Sequence, residues 1–192
     1  MQELKDRIVK EGKVLPGNII KVDGFLNHRI DTELMDHIAE EFGKHFNMDE
    51  VTMILTAEAS GIALSAIVAH HFHKPMIFAE KAKSDNIEGG LYQSDIFSST
   101  YKKKVTLLVS KEWMSADDKV LIIDDFMANG EAMRGRCDIV EAAGATLVGI
   151  GCAVEKGFQG GGDRLRAAGV NLHSLAIIES AEPGNIVFRD EN

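Results

Sequence analysis

Cysteine and proline are scarce in this chain, and long apolar runs are absent. Only two cysteines and three prolines occur among 192 residues. Cys137 and Cys152 lie far apart in apolar stretches, which excludes a disulfide framework or a zinc knuckle and favours buried, inert thiols. No run approaches the roughly 20 apolar residues of a membrane span, and the charged N-terminus lacks the apolar segment of a signal peptide. We therefore expect a reduced, cytoplasmic protein with no membrane partner.

Basic residues are also in the minority. The chain has 21 Lys and Arg against 30 Asp and Glu, a formal net charge of −9. A nucleic-acid surface needs clustered Lys and Arg, so a nucleic-acid partner is not expected. An anionic small molecule remains compatible, because a few lysines and the N-termini of helices act locally. With 45% hydrophobic residues, residues 1–192 are expected to form a single domain.

Short apolar runs alternate with amphipathic segments along most of the chain. A short strand is predicted at 18–22, and buried strands are predicted at 51–55, 120–124 and 145–154. Further strands are predicted at 75–79, 105–109 and 172–178. Helical spacing occurs at 2–11, at 62–73 and at 32–46, where Asp31 is the predicted N-cap. This alternation predicts an α/β fold, with a mostly parallel twisted sheet flanked by helices.

The most informative segment is VLIIDDFMANGEA, residues 120–132. Its apolar run ends in Asp124 and Asp125, and a short turn with Asn129 and Gly130 leads into an amphipathic helix. Open α/β sheets bind ligands at the carboxyl ends of their strands, and helix N-termini bind anions. Hydroxyl groups or a metal beside a phosphate would satisfy both halves of this motif. A core strand that ends in solvated acids is the plainer alternative.

Other strand ends give weaker signals. The segment TAEASG closes a strand before a helix and is compatible with a second anion site, although an ordinary turn is the commoner explanation. Lys81 and Lys83 follow the strand at 75–79, where a phosphate contact and a solvated loop start fit about equally well. The HHFH histidines lack the i, i+4 spacing of helical metal ligands, so we expect them to be structural.

Segment 120–132 resembles the phosphoribosyl-pyrophosphate signature of type I phosphoribosyltransferases: four hydrophobic residues, two acids, and a small residue before Gly in a short turn. The resemblance covers most of the chain, including VDGFLNHRID, TAEASGI, FAEKAKS and AVEKGFQ. Within that family the chain is similar to bacterial purine-salvage members that act on xanthine. The resemblance implies transfer of the 5-phosphoribosyl group from phosphoribosyl pyrophosphate to xanthine, with xanthosine 5′-monophosphate and pyrophosphate as products.

The same resemblance implies the site residues. Asp124 and Asp125 would be the catalytic acids, accepting hydrogen bonds from the ribose hydroxyls near the developing positive charge. Ile20, Asn27 and Lys156 would bind the purine, although Asn27 alone is typical of a turn and Lys156 of a loop. The phosphoribosyl-pyrophosphate contacts would be Ala59, Ser60, Gly61, Lys81, Ala128, Asn129, Gly130, Glu131 and Ala132. Mg²⁺ would bridge the pyrophosphate oxygens as a cofactor carried by the substrate, not held in a metal site of the protein.

The resemblance also implies a type I phosphoribosyltransferase fold with a small hood from about residues 12–30 and 155–192, a mobile lid at about 84–104, and a homodimer. The lid's polar composition would fit a disordered surface loop equally well.

The chain departs from the family pattern at two positions of the phosphate loop, residues 128–132. Ala128 replaces an acid that hypoxanthine–guanine enzymes carry, which leaves the proton acceptor unidentified. Ala132 replaces a common Thr, so weaker phosphate binding is expected.

Two other functions remain open. One is a regulatory domain that senses phosphoribosyl pyrophosphate without catalysis, and the other is the same enzyme with guanine as its main base. Regulators of this kind carry an N-terminal DNA-binding domain, which needs roughly 70 residues. Here the predicted sheet begins at about residue 18, so the enzyme is favoured.

Overall fold

The computed structural model describes residues 1–81, 90–98 and 103–190. The first part comprises α1 (Gln2–Glu11), β1 (Lys13–Leu15), β2 (Ile19–Lys21), a π-helical turn (Asp23–Asn27), α2 (Thr32–His45), β3 (Met53–Ala57), α3 (Gly61–His71) and β4 (Met76–Ala79). The second part comprises β5 (Leu91–Ser98), β6 (Lys103–Ser110), β7 (Lys119–Met127), α4 (Glu131–Ala142), β8 (Thr146–Lys156), a 3-10 turn (Gly157–Gln159), α5 (Gly161–Ala167), β9 (Leu172–Glu182) and β10 (Asn185–Phe188).

A six-stranded sheet forms the centre of the molecule, in the order β10-β9-β8-β7-β3-β4. Every neighbouring pair runs parallel except β9 and β10. Strand β3 is buried along its whole length and β7 along most of it, because the sheet is covered on both faces and both strands are built from continuous apolar runs. The predicted α/β fold with a mostly parallel sheet is confirmed.

Alternate residues of β7 pack on opposite faces of the sheet, as the two-residue period of a strand requires. Leu121 and Ile123 join a core with α1, α2 and α3. Val120 and Ile122 join a second core with α4 and the β5–β6 hairpin. Asp31 caps α2 as predicted, since its carboxylate accepts a hydrogen bond from the Leu34 amide at 3.2 Å.

Three strands were not predicted. Strand β1 follows α1 directly and pairs antiparallel with β2. Strand β5 lies inside the polar segment expected to form the lid and pairs antiparallel with β6, and β10 follows β9, which was expected to be the last strand. Polar residues interrupt the apolar pattern of β5, whereas β1 and β10 are short, with 3 and 4 residues. Residues 84–89 and 99–102 of the expected lid lie outside the described residues, as does Lys83, so the mobility of 84–104 stays a prediction.

The histidines and cysteines have ordinary structural surroundings. His71 Nδ1 lies 2.7 Å from an Asp36 oxygen, and the rings of His70 and His73 meet edge to face at 6.3 Å. The two cysteines are free thiols, and burial raises the pKa of both. In the described part of the chain, no helix is long and apolar enough to cross a membrane.

Candidate active site

A cavity of about 800 Å³ opens beyond the carboxyl ends of β3, β4, β7 and β8. This is the edge at which parallel α/β sheets bind their ligands. Most of the predicted site residues line it: Ile20, Asn27, Ser60, Lys81, Asp124, Asp125, Ala128, Asn129, Gly130, Ala132 and Lys156. Segments separated by more than a hundred residues thus meet around one opening.

Three predicted contacts, Ala59, Gly61 and Glu131, do not line the cavity. Gly61 lies directly behind it, because a Cβ at this position would collide with Asp124 Oδ1 and a Thr56 oxygen. The Glu131 amide donates to Asn129 Oδ1 at 3.2 Å, which shapes the turn before α4. Direct contact of these three residues with a ligand stays a prediction.

Each oxygen of the Asp124 carboxylate accepts a hydrogen bond from the protein. Arg136 Nη2 donates to Oδ2 at 2.6 Å, and the Asp125 amide donates to Oδ1 at 3.1 Å. The residue is only 9% exposed. A carboxylate oxygen has more than one acceptor direction, so these bonds orient Asp124 and leave it able to accept from a ligand hydroxyl.

Asp125 is more deeply buried, at 1% exposure. Ser60 Oγ donates to its Oδ1 and Asn27 Nδ2 to its Oδ2, both at 2.9 Å. Burial and the adjacent charge of Asp124 raise the pKa of Asp125 to about 7, against the lowering effect of those two hydrogen bonds. Near neutral pH this carboxyl group is therefore present in both its protonated and its ionised form.

The turn between β7 and α4 forms another wall of the cavity. Gly130 has a φ of 82°, a left-handed conformation that glycine adopts without a steric penalty. The first-turn N–H groups of α4 have no partner within the helix, and its dipole places partial positive charge at this end. The predicted phosphate loop, residues 128–132, therefore has the geometry and electrostatics of an anion site.

Helix α5 holds this loop from behind. A Cβ on Gly161 would lie 2.6 Å from the Gly130 nitrogen, so the two backbones are in direct contact. Arg164 Nη2 also donates to the Asn129 carbonyl at 2.9 Å. Gly161 thus has a structural role, close contact with the phosphate loop, that the sequence alone did not reveal.

The predicted purine-binding residues gather at the other end of the cavity. Lys156 Nζ donates to the Asn18 carbonyl at 2.9 Å and lies 5.4 Å from the centre of the Phe126 ring. Burial lowers the pKa of Lys156. Together with Ile20 and Asn27, these groups combine an apolar surface with an amide and an ammonium, which suits a flat heterocycle with carbonyl oxygens.

Twelve of the residues that line the cavity were not predicted, among them Glu58, Phe126, Arg136 and Gln159. The Glu58 carboxylate accepts from the Lys81 amide at 2.6 Å, which ties the ends of β3 and β4 together. The role of Arg136 could have been recognised from the sequence. Arg136 falls in helical register with Met133 and Val140, both buried, and a charge on an apolar face implies a buried partner.

The donor chemistry fits a magnesium ion that arrives with a pyrophosphate. The carboxylates of Glu58, Asp124 and Asp125 all line the cavity, and Mg²⁺ prefers oxygen ligands, often one or two carboxylates completed by phosphates and water. Across residues 1–81, 90–98 and 103–190, no group of three or more His, Cys, Asp or Glu side chains is arranged to hold a metal ion.

Comparisons with known proteins agree with this geometry. Residues 25–166 match the model of the phosphoribosyl transferase domain. The chain is 52% identical to a xanthine phosphoribosyltransferase of Bifidobacterium animalis subsp. lactis, over 98% of this chain and 100% of that protein. It is 51% identical to a xanthine phosphoribosyltransferase of Lachnoclostridium phytofermentans, with both proteins covered completely.

Solved structures show the same fold at lower identity. Adenine phosphoribosyltransferase from Giardia lamblia, complexed with 9-deazaadenine, has a TM-score of 0.75 at 21% identity, covering 90% of this chain and 96% of that one. Adenine phosphoribosyl transferase from Trypanosoma brucei, in complex with AMP, pyrophosphate and ribose-5-phosphate, has a TM-score of 0.73 at 21% identity, covering 90% of this chain and 78% of that one. At this identity the likeness concerns the fold alone.

Proposed function

Because this chain belongs to the phosphoribosyltransferase family, we propose that it transfers the 5-phosphoribosyl group from phosphoribosyl pyrophosphate to xanthine. The products are xanthosine 5′-monophosphate and pyrophosphate. Full-length relatives at about half identity carry the name of this activity. Purine salvage is then the role of the protein, and two free thiols fit a reducing cytoplasm.

The single observation that carries the proposal is the hydrogen bond between Asn27 and Asp125, 2.9 Å long. It joins the end of the cavity suited to a purine with the acids suited to a ribose. Residues of the phosphate loop at 128–132 line the same cavity as those acids. A base and a sugar phosphate bound at these places would lie side by side, as group transfer between them requires.

The reaction exchanges one bond at the anomeric carbon for another. The bond from C1 of the ribose to a pyrophosphate oxygen breaks, a bond from C1 to a purine nitrogen forms, and the proton of that nitrogen passes to water. Positive charge develops at C1 as the pyrophosphate leaves. In this proposal, the carboxylates of Asp124 and Asp125 orient the ribose hydroxyls and stabilise that charge.

Anion binding is divided between two walls of the cavity. The loop at 128–132 and the positive end of α4 bind the 5′-phosphate. Ser60 and Lys81 face the pyrophosphate from the ends of β3 and β4. One or two of the carboxylates of Glu58, Asp124 and Asp125 would hold a Mg²⁺ ion that arrives with the substrate, and the ion would supply charge neutralisation of the leaving group.

We assign base selection to Lys156. Xanthine carries a 2-oxo group and is partly anionic near neutral pH, and both features favour an ammonium. The contacts of Lys156 with Asn18 and Phe126 hold its side chain against the cavity wall. Guanine as the main base is the alternative. Its 2-amino group would then occupy the position beside Lys156 that the 2-oxo group of xanthine takes in this proposal.

Pyrophosphate release measured with xanthine, guanine, hypoxanthine and adenine tests the proposal directly. We expect the highest kcat/KM with xanthine. Tight binding of phosphoribosyl pyrophosphate without turnover of any base would identify a sensor, and preferred turnover of guanine would identify the alternative substrate.

Substitution of the base-selecting lysine sharpens that test. Lys156→Met should lower kcat/KM for xanthine by about 10- to 100-fold, which is the range of one charge-assisted hydrogen bond, and should leave hypoxanthine turnover within about threefold. Lys44→Met, which removes an exposed lysine paired with Glu41, is the matched control. Equal losses with both bases would show that Lys156 does not read the 2-oxo group.

The expected homodimer belongs to the same proposal. Exposed apolar side chains cluster beside strand β4, including Phe78 at 42% and Trp113 at 61% exposure, and they border one shallow cavity. Contiguous apolar surface of this kind marks protein–protein contacts. We propose that a second copy of the chain covers it.

A further inference from the structure

Arg136 is an arginine in the interior of the protein. Its side chain is 0% exposed and packs on the inner face of α4 beside Met133, whose sulfur lies 3.0 Å from Nη2. Removing a guanidinium from water is unfavourable unless it is paired and hydrogen-bonded. We therefore expect the contacts of Arg136 to compensate for the burial of its charge.

The contacts of Arg136 join the two halves of the VLIIDDFMANGEA motif. Nη2 donates to Asp124 Oδ2 at 2.6 Å, at the end of the strand. Nε donates to the carbonyl of Ala132 at 3.0 Å, the last residue of the phosphate loop. One planar group thus fixes the position of a carboxylate relative to the loop that follows it, and a guanidinium does this better than an ammonium because its donors diverge rigidly.

A third donor is left over. Arg136 Nη1 is buried and has no hydrogen-bond partner among the described residues, and Arg136 contributes to the cavity wall. On the side of Asp124 away from Arg136, Gly61 packs closely, since a Cβ on Gly61 would collide with Asp124 Oδ1. Asp124 is thus held on one side by a charge and on the other by close packing.

We propose that Arg136 is a positioning residue that locks the Asp124 carboxylate to the phosphate loop, so that the ribose hydroxyls and the 5′-phosphate are bound by one rigid unit. This inference rests on the proposed function, because Asp124 must contact the ribose. The positive charge of Arg136 also offsets the repulsion between two adjacent carboxylates. Without it, Asp124 would be free to turn away from the ribose.

A double-mutant cycle tests this role. The variants are Arg136→Met, Asp124→Asn and the combination of the two, with kcat and the KM for each substrate measured separately. Arg136→Met should lower kcat/KM for phosphoribosyl pyrophosphate by about 10- to 100-fold, the range of a charged hydrogen bond, while the KM for xanthine stays within about twofold. In the Asp124→Asn background the same change should cost less than about threefold, because the partner is already lost.

Two further variants separate positioning from folding. Arg136→Lys keeps the charge but not the bridge to Ala132, so kcat/KM should lie between wild type and Arg136→Met. If Arg136→Met does not fold, Arg136→Lys and the double variant, which removes both buried charges together, still decide the question. Arg134→Met, on the exposed face of α4 and 44% accessible, is the matched control and should behave like wild type.

The outcomes distinguish this inference from the proposed function. Absence of turnover in the wild-type enzyme would contradict the proposed function itself. An active wild type in which Arg136→Met changes neither the KM for phosphoribosyl pyrophosphate nor kcat would overturn the role of Arg136. So would equal losses in both backgrounds of the cycle, or a matching rise in the KM for xanthine, since these indicate a general loss of structure.

Discussion

Asp125 has a buried carboxyl group next to a second carboxyl group, and its pKa rises from 3.8 to about 7. In the unfolded chain the same group ionises near its ordinary value. Below about pH 4 both states are protonated, and the contribution of Asp125 to stability is fully present. As the pH rises through 7 the folded protein must ionise a buried acid, and on the order of 4 kcal/mol of stability is lost.

Asp125→Asn therefore separates stability from activity. The amide keeps the size of the carboxyl group but cannot ionise, so the melting temperature at pH 8 should rise above that of wild type, with a smaller difference at pH 5. Turnover should fall by orders of magnitude, because the acid beside the ribose is gone. Thermal unfolding at both pH values and a pyrophosphate-release assay measure the two effects.

Asp117→Asn, at an exposed acid, is the control for the charge change alone and should leave both quantities unchanged. A lower melting temperature for Asp125→Asn at pH 8 would mean that the ionised carboxylate stabilises the fold. That result would contradict a raised pKa for Asp125 in the folded protein.

Strands and helices could be predicted from the sequence wherever a continuous apolar run or a clear cap residue was present. Continuous apolar runs identified β3, β7 and β8, and a cap at Asp31 located the start of α2. Strand β5 was missed because polar residues alternate with its two packed side chains. Contacts across the fold were beyond local reasoning: the resemblance placed Asn27 near the purine, but nothing in the sequence indicated its hydrogen bond to Asp125, 98 residues away.

The contact between α5 and the phosphate loop is a further feature that only the structure reveals, and it leads to a prediction. Gly161→Ala adds a Cβ against the backbone of Asn129 and Gly130, which cannot move aside as a side chain would. The loop should shift away from α5, and the KM for phosphoribosyl pyrophosphate should rise by about tenfold or more, because a displacement near 1 Å disturbs anion binding strongly.

The control for this change is Gly24→Ala, where an added Cβ meets nothing within 4 Å. It should alter neither the KM nor the melting temperature by a measurable amount. Binding of ribose 5-phosphate, followed by calorimetry, reports on the loop without catalysis. Unchanged affinity in Gly161→Ala would show that the loop adapts and that α5 does not determine its position.

The molecule as a whole has two unequal edges. At one edge, β10 ends the sheet as an antiparallel strand with polar residues around it. At the other, β4 is followed by Glu80, which forms a bridge to Leu108 of β6. Phe78 and Trp113 lie exposed beside this junction. With a net charge of −9, association between copies needs apolar contact to overcome repulsion.

We therefore expect a homodimer that forms through the β4 edge, and light scattering after size-exclusion chromatography measures its mass. Phe78→Ser and Trp113→Ser together should give a folded monomer, because they remove the largest exposed apolar groups of that edge. Val187→Ser, on β10 and 43% exposed, is the control and should remain a dimer. A monomeric wild type would contradict the dimer, whereas a dimer that survives the double substitution would place the interface on another face.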